Sequence, residues 1–490
     1  MIGRFSVGLL LSLLFALASA EQLLVPGASI PERSVRYDNE QIIRCSSSAL
    51  APAALEALIT RHGVDIWGAT GEHVDLRITE QTAASRAVRH MVVDNTECRV
   101  IVHDVERLVA SAERVQTAAA VRSAAQRGDG EDAAAAGPVP AGWFDAYHDF
   151  DSTRTFYQNL AQSYPDMATF LPSIGKTHES RSIFGLVLGG SNSTASAIYD
   201  QPELLDEHGI PLEEVFAERA ASEDLAAAKP SIFFQCSIHA REWISNAVCQ
   251  YVLSTLLDSH SRRVPAVVEL FDRYNLYVIP ITNPDGYAHT WSGDRMWRKN
   301  RVPNAGSTCR GVDVNRNYND HWGQGGSSNL PCSDTYMGTA ANSELETRAS
   351  IAFFRSASPV HLAIDWHAYS QLILRPYGWS TSDSPHEARL KQIGAAMQAA
   401  IRNTHGMSYT NQKSIELYPT TGTASDWFYG SEATRYNGGF RSAGYTIELR
   451  DTGRYGFLLP PEQILPTGEE SYAAVLAMAR DLLDNGPMYA

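Results

Sequence analysis

An apolar run from Ile232 to Ile238 leads to His239, and three residues later Glu242 stands at the edge of an amphipathic helix opened by Trp243. Imidazole nitrogen and carboxylate oxygen are both ligands for a divalent metal, and the carboxyl end of a strand is where open α/β sheets place their ligands. An H-x-x-E pair alone is common, so a third ligand is needed. The segment His361-Leu362-Ala363-Ile364-Asp365-Trp366 again runs through apolar residues and ends in His367. Two histidines and a glutamate with water in the fourth position form an open catalytic zinc site, whereas a closed structural site uses four protein ligands. A further apolar segment, Tyr445 to Leu449, carries Glu448 between apolar neighbours. A desolvated glutamate beside the metal-activated water could act as general base; its bland alternative is an ion pair with Arg450 or another core arginine.

Two polar stretches lie between these segments: Met296 to Arg301, MWRKNR, and Cys309 to Gly323, CRGVDVNRNYNDHWG. Arg298 could stabilise a developing oxyanion, and Asn315 with Arg316 could fork onto a carboxylate. Basic runs are usually solvated loops, but Cys309 and Cys332 flank the second stretch and suggest that it is pinned.

These residues need elements to hold them. From Trp143 onward helix-like and strand-like segments alternate, which predicts one large α/β domain. Strands are expected at Phe184 to Leu188, Ile232 to Ile238, Tyr274 to Ile281, His361 to His367 and Tyr445 to Leu449. Helices are expected at Thr153 to Ser163, Trp243 to Asp258, Glu344 to Ser356, His386 to Asn403 and Glu470 to Asp484. The acidic stretch Gln201 to Lys229 reads as a surface insertion.

Upstream, residues 1–20 combine Arg4, an apolar core and an Ala18-Ser19-Ala20 ending, the pattern of a secretory signal peptide. Residues 21–116 read as a small α/β unit without a cluster of catalytic residue types. Its strands are expected at Ser34 to Tyr37, Val64 to Trp67, Val74 to Ile78 and Cys98 to Val102, with helical patterns at Ala51 to Arg61, near Gln81 to Arg89 and at Val105 to Arg114. Residues 117–142 are rich in Ala and Gly and lack aromatics until Trp143, so they read as an exposed linker in which Arg122 and Arg127, with Arg114 just before, offer sites to a trypsin-like protease. The layout is that of a proenzyme, with a passive spacer as the alternative.

The formal net charge of −15 argues against a general nucleic-acid or anionic-membrane binder. Six cysteines in an oxidising compartment suggest disulfides, and sequence alone allows fifteen pairings, Cys45 with Cys98 among them. Asn192-Ser193-Thr194 is a glycosylation sequon.

The motifs H-A-R-E-W, M-W-R-K-N-R, D-V-N-R-N, H-A-Y-S-Q and E-L-R-D-T-G-R-Y-G-F-L-L-P occur in this order, with Tyr418 ahead of the last. Together they resemble the secreted zinc carboxypeptidases of the pancreatic carboxypeptidase A and B family, including its fungal members. The resemblance covers Trp143 to Asp484 and implies a mixed central sheet flanked by helices, preceded by a small α+β ferredoxin-like activation domain. It implies His239, Glu242 and His367 as ligands of one zinc ion and Asp313 as the carboxylate that orients His239. Glu448 matches the general base, Arg298 the residue that polarises the scissile carbonyl, and Asn315 and Arg316 the residues that capture a terminal carboxylate. Tyr418 matches the mobile tyrosine that closes over substrate, and Arg241, Arg295, Tyr369 and Phe457 match secondary substrate contacts. Cys309 with Cys332 and Cys236 with Cys249 match family disulfides.

Ser425 occupies the pocket-floor position where family members carry an acidic residue for basic substrates or a large apolar one for aromatic and aliphatic substrates. Leu374, Gly378 and Thr446 resemble the A-type pocket, whereas Asp365 and Lys413 put charges close to it. Paired with each other, these two leave a neutral pocket for a hydrophobic C-terminal residue; an unpaired Lys413 favours acidic C-termini. The resemblance implies a zymogen acting on peptide C-termini, cut by a trypsin-like protease, monomeric, and secreted or delivered to a vacuole-like compartment. The alternative from another class is a catalytically inactive zinc- or peptide-binding relative.

Overall fold

The computed structural model describes residues 35–126, 138–190, 194–220 and 228–489. The signal-peptide reading, the Asn192-Ser193 part of the sequon and Arg127 therefore lie outside the described residues.

The N-terminal unit is a four-stranded antiparallel sheet formed by β1 (Gln41–Ser46), β2 (Asp65–Ala69), β3 (His73–Ile78) and β4 (Cys98–Val102) in the order β2-β3-β1-β4. With the helix Pro52–Thr60 between β1 and β2 and the helical turns Glu80–Ala83, Arg86–Val88 and Arg89–Val93 between β3 and β4, this is the ferredoxin-like β-α-β-β-α-β arrangement, and the helix Val105–Gln126 follows β4. Cys45 and Cys98 are register partners on β1 and β4 and are bonded to each other. The first strand begins at Gln41, and Val35 to Tyr37 belong to no strand, against expectation. Tyr37 instead points into the large domain, where its hydroxyl donates to Asp294 at 2.6 Å.

The second correction concerns the linker. The helix Val105–Gln126 runs past Thr117, where the sequence predicts disorder. Alanine is the best helix former, and here the alanine-rich stretch also finds a surface to dock on. Ala119 and Ser123 are buried, Ser123 donates to the Gly142 carbonyl at 2.7 Å, and Gln116 and the Tyr147 backbone exchange two hydrogen bonds.

The large domain is built on an eight-stranded mixed sheet. Its strands are β5 (Ala168–Lys176), β6 (Ser182–Leu188), β7 (Ser231–Cys236), β8 (Asn275–Ile279), β9 (Val360–Ala368), β10 (Leu372–Arg375), β11 (Thr410–Lys413) and β13 (Ala443–Leu449), in the order β11-β10-β13-β9-β7-β8-β6-β5. The pair β12 (Phe440–Arg441) and β14 (Met488–Tyr489) forms a separate ribbon. Strands β13, β9, β7 and β8 run parallel at the centre. Every residue of β7 and β9 is buried, which accounts for their continuous apolar runs. One face of the sheet is covered by the helices Trp243–Ser261, Glu387–His405 and Ile464–Asn485, the other by Leu345–Ser356 and Ala424–Tyr429, giving two cores. Among the described residues no helix is long and apolar enough to cross a membrane.

Candidate active site

The strand ends bring the chemistry together. After β7 the chain bends at Ser237, whose backbone is left-handed (φ 54°), and delivers His239 and Glu242 over the sheet edge. Glu242 is the N-cap residue of the helix Trp243–Ser261, yet its carboxylate caps nothing. Instead its two oxygens face His239 Nδ1 at 2.9 Å and His367 Nδ1 at 3.1 Å, and the Ala368 amide donates to it at 3.1 Å. The disulfide Cys236–Cys249 straddles this turn and ties the strand to the helix.

Whether these residues suit zinc can be judged from their outer faces. His239 presents Nε2 to Asp313 at 3.1 Å, and His367 presents Nε2 to Asp365 at 2.6 Å. A carboxylate only accepts, so each pairing favours a neutral ring that carries its proton on Nε2 and turns a lone pair inward from Nδ1. The two Nδ1 atoms lie 3.0 Å apart, with Glu242 beside them, and all three groups are buried. Converging lone pairs and a carboxylate suit a cation, and a donor set of two imidazoles and one carboxylate is that of an open zinc site.

Asp313 organises a second layer. It caps the short turn Val314–Arg316 by accepting from the Asn315 amide, and it accepts from Arg298 Nε and Nη2 at 3.2 and 2.9 Å. Burial alone would raise its pKa, but Arg298 and His239 outweigh that and hold it well below the usual carboxylate range. The same bonds aim Arg298 Nη1 at the site, 3.8 Å from Glu242. The loop carrying Asn315 and Arg316 is closed at its base by Cys309–Cys332. Asn315 Oδ1 accepts from the Ala424 amide at 2.8 Å, and Arg316 bonds to the carbonyls of Asn315 and Gly326.

Glu448, next to the end of β13, completes the floor. Burial pushes its carboxyl up to about 8, His367 and Arg298 oppose the rise, and Glu242 and Asp365 add to it. One cavity is lined by His239, Glu242, Arg298, Asn315, Arg316, His367, Tyr369, Tyr418, Ser425, Glu448 and Phe457, together with Ile66, Trp67, Gly68 and Ala69 from β2. The N-terminal unit is thus part of the cavity wall. Trp67 packs edge-on against Phe457, and Gly68 lies so close to the Tyr369 ring that an added Cβ would sit 2.4 Å from it.

Two residues expected at the cavity are elsewhere. Arg241 is wholly buried in a bidentate ion pair with Asp65 at 2.7 and 2.8 Å, because the N-terminal unit supplies the carboxylate. Arg295 lies behind the wall, stacked on Trp243 and donating to the carbonyls of Arg241 and Phe457. Burial without a carboxylate partner lowers its pKa to about 10.

The pocket charges are also placed differently. Lys413 pairs with Asp383 at 2.9 Å rather than with Asp365, and Asp365 is buried behind His367. Neither lines the cavity, whose wall also includes Leu374, Ser414, Leu417, Thr420, Thr423, Ser425 and Thr446. Thr446 Oγ1 donates to Ser425 Oγ at 3.0 Å. Sequence reasoning missed Asp65 and Trp67, which nothing local marks. It misread Asp365, although a spacing of two on a strand puts Asp365 and His367 on one face.

The zinc carboxypeptidase family model matches residues 153–474. The chain belongs to the zinc carboxypeptidase family. As a metallocarboxypeptidase it is 34% identical over 341 residues to a metallocarboxypeptidase A-like protein of Trichophyton verrucosum, covering 69% of this chain and 70% of that one. It is 40% identical over 259 residues to human carboxypeptidase B, covering 52% and 60% respectively. Among solved structures, thrombin activatable fibrinolysis inhibitor matches with a TM-score of 0.68 and 26% identity, covering 92% of this metallocarboxypeptidase and 100% of that chain.

Proposed function

We propose that this metallocarboxypeptidase is made as a zymogen and, once cut between its two domains, removes single uncharged C-terminal residues from peptides, hydrophobic or aromatic ones above all. The observation that carries the reading is the cavity in which Glu448, Arg298, Asn315 and Arg316 stand around the His239, Glu242 and His367 donors. His239, Glu242 and His367 would hold one zinc ion. When bound, zinc supplies Lewis acidity, which makes water nucleophilic near neutral pH and polarises a carbonyl.

In this scheme the protein's own groups move the protons and hold the charges. Arg316 and Asn315 bind the terminal carboxylate of the substrate. An internal peptide bond has no such charge and would leave Arg316 unpaired, which selects for exopeptidase action. Glu448 takes the proton of the attacking water and returns it to the leaving amine. Arg298 Nη1 donates to the oxygen that gains charge, with its remaining nitrogens already fixed by Asp313. Tyr418 covers the bound residue, and the side chain released sits among Leu374, Leu417 and the hydroxyls of Ser425 and Thr446.

The zymogen part of the reading is supported by what β2 occupies. Asp65 holds Arg241, Trp67 and Gly68 cover Phe457 and Tyr369, and Tyr418 packs against the N-terminal core. A trypsin-like protease acting near the connecting helix would release this wall. Secretion and a monomeric state complete the proposal.

The test is hydrolysis of blocked dipeptides ending in Phe, Leu, Arg or Glu by purified protein, before and after limited trypsin, with and without a zinc chelator. Chelator-sensitive release of Phe or Leu that grows after cleavage is expected. Release of Arg or Glu alone would overturn the neutral pocket. No release from cleaved, zinc-loaded protein would overturn the enzyme and leave a peptide-binding relative.

A further inference from the structure

His367 receives two contradictory instructions at its outer nitrogen. Asp365 Oδ2 lies 2.6 Å from Nε2 and can only accept, whereas Asn315 Nδ2 lies 3.2 Å from the same Nε2. The orientation of the Asn315 amide is fixed, because its Oδ1 accepts from the Ala424 amide at 2.8 Å, so the group facing His367 is the donating NH₂. A neutral imidazole has one N–H. If Asn315 alone decided, it would donate to Nε2 and leave the proton on Nδ1, the nitrogen that faces Glu242 and His239. That tautomer cannot ligate a metal through Nδ1.

Asp365 is built to win this competition. It is fully buried, and it precedes His367 by two on β9, so both side chains leave the same face. Its other oxygen accepts from Gln235 Nε2 at 3.0 Å, and Gln235 is its register partner on β7. The Gln235 carbonyl oxygen in turn accepts from Ser350 Oγ at 2.7 Å and Tyr318 OH at 3.1 Å. Three separate elements therefore hold one carboxylate in place. With Oδ1 taken by Gln235, Oδ2 is left for the imidazole, at a distance shorter than that of Asn315.

We propose that Asp365 is a positioning residue for the metal: it sets His367 in the tautomer with the proton on Nε2 and so makes Nδ1 a zinc ligand against the opposing pull of Asn315. Both histidine ligands then have a dedicated buried carboxylate, Asp313 for His239 and Asp365 for His367. The inference rests on the zinc-binding reading of His239, Glu242 and His367.

The test is the zinc affinity of the full chain, stripped of metal and titrated against a competing chelator, for wild type, Asp365→Asn and Asp365→Ala. Asparagine keeps the shape; because Gln235 still donates to its carbonyl, it turns its NH₂ toward His367 and reinforces the wrong tautomer. Loss of an outer-shell partner typically costs 10- to 100-fold in metal affinity. A loss of at least about tenfold is therefore expected for D365N, as great as that for D365A, with thermal unfolding of the metal-free protein shifted less for D365N than for D365A. A merely structural carboxylate would instead lower metal-free stability and leave the affinity alone. D365N that binds zinc as tightly as wild type overturns the proposal, whatever its stability. Wild-type protein that binds no zinc overturns this proposal and the site reading together.

Discussion

Glu448 and His367 are register partners: β13 runs parallel to β9, and the two residues stand opposite each other in the ladder. The proposed base and the proposed metal ligand are thereby held at a fixed offset by backbone hydrogen bonds, independently of any loop. Glu448→Gln keeps shape and burial and removes the proton acceptor. It should lower kcat by about 10²- to 10⁴-fold with zinc content unchanged. Steady-state kinetics with metal analysis checks this, and near-normal turnover would remove Glu448 from the mechanism.

Arg316→Met should act on recognition. Charge-assisted hydrogen bonds contribute about 1.5–3 kcal/mol, so kcat/KM for a free C-terminus should fall roughly 10- to 150-fold. The ratio of free-acid to amidated substrate should fall with it. A variant that keeps this ratio would show that the terminal carboxylate is held elsewhere.

Ser425 and Thr446 line the cavity side by side, and neither carries charge. Introducing a carboxylate with Ser425→Asp should raise kcat/KM for C-terminal Arg or Lys relative to Phe by tenfold or more, the equivalent of about 1.4 kcal/mol. An unchanged ratio of Arg to Phe release would mean that the released side chain does not reach Ser425.

Removing one partner of a buried ion pair costs about 3–5 kcal/mol. Asp65→Ala should therefore loosen the N-terminal unit and raise the activity of uncut protein by about tenfold or more, while the trypsin-cut enzyme is unchanged. Equal activity of uncut wild type and D65A would show that the Arg241 pair does not hold the wall shut.

Two carboxyls should make stability fall as pH rises. Burial and Glu344 push Glu346 up to about 8, and burial and Asp320 push Asp426 up to about 7. Between the unfolded values of 4.5 and 3.8 and these folded ones, the folded chain binds protons that the unfolded chain has released. Stability is then lost with rising pH across that window, ending near pH 7 for Asp426 and pH 8 for Glu346. Glu346→Gln should gain thermal stability over wild type as pH goes from 5 to 8. A pH-independent difference between the two proteins would refute the raised value.

Much of the catalytic half was legible because its strands are buried on both faces. β6, β7, β8, β9 and β13 have few polar residues, and each ends within a few residues of the predicted boundary. β11, Thr-Asn-Gln-Lys, has no apolar residue; only its parallel pairing with β10 makes it a strand. β5 carries Pro172 and a register shift at the opposite edge, which hides it in the same way. In the site, His239, Glu242, His367 and Glu448 could be found because each interrupts or ends an apolar run. Arg241 could not be placed, since its partner Asp65 is 176 residues away in another folding unit. By family position Asp365 reads as a pocket charge, but in the fold it faces His367, two residues on along the same strand.

In the proposed zymogen, the helix Val105–Gln126 also governs when cleavage can occur. A protease active site takes its substrate as an extended strand, and Arg114 and Arg122 lie inside hydrogen-bonded turns anchored by Gln116 and Ser123. Cutting at either requires those turns to unwind first, so the rate is set by how often the helix end opens as well as by how much protease is present. The tether then behaves as a timer: a proline placed late in the helix shortens the delay, and anything that clamps Ser123 to the Gly142 carbonyl lengthens it.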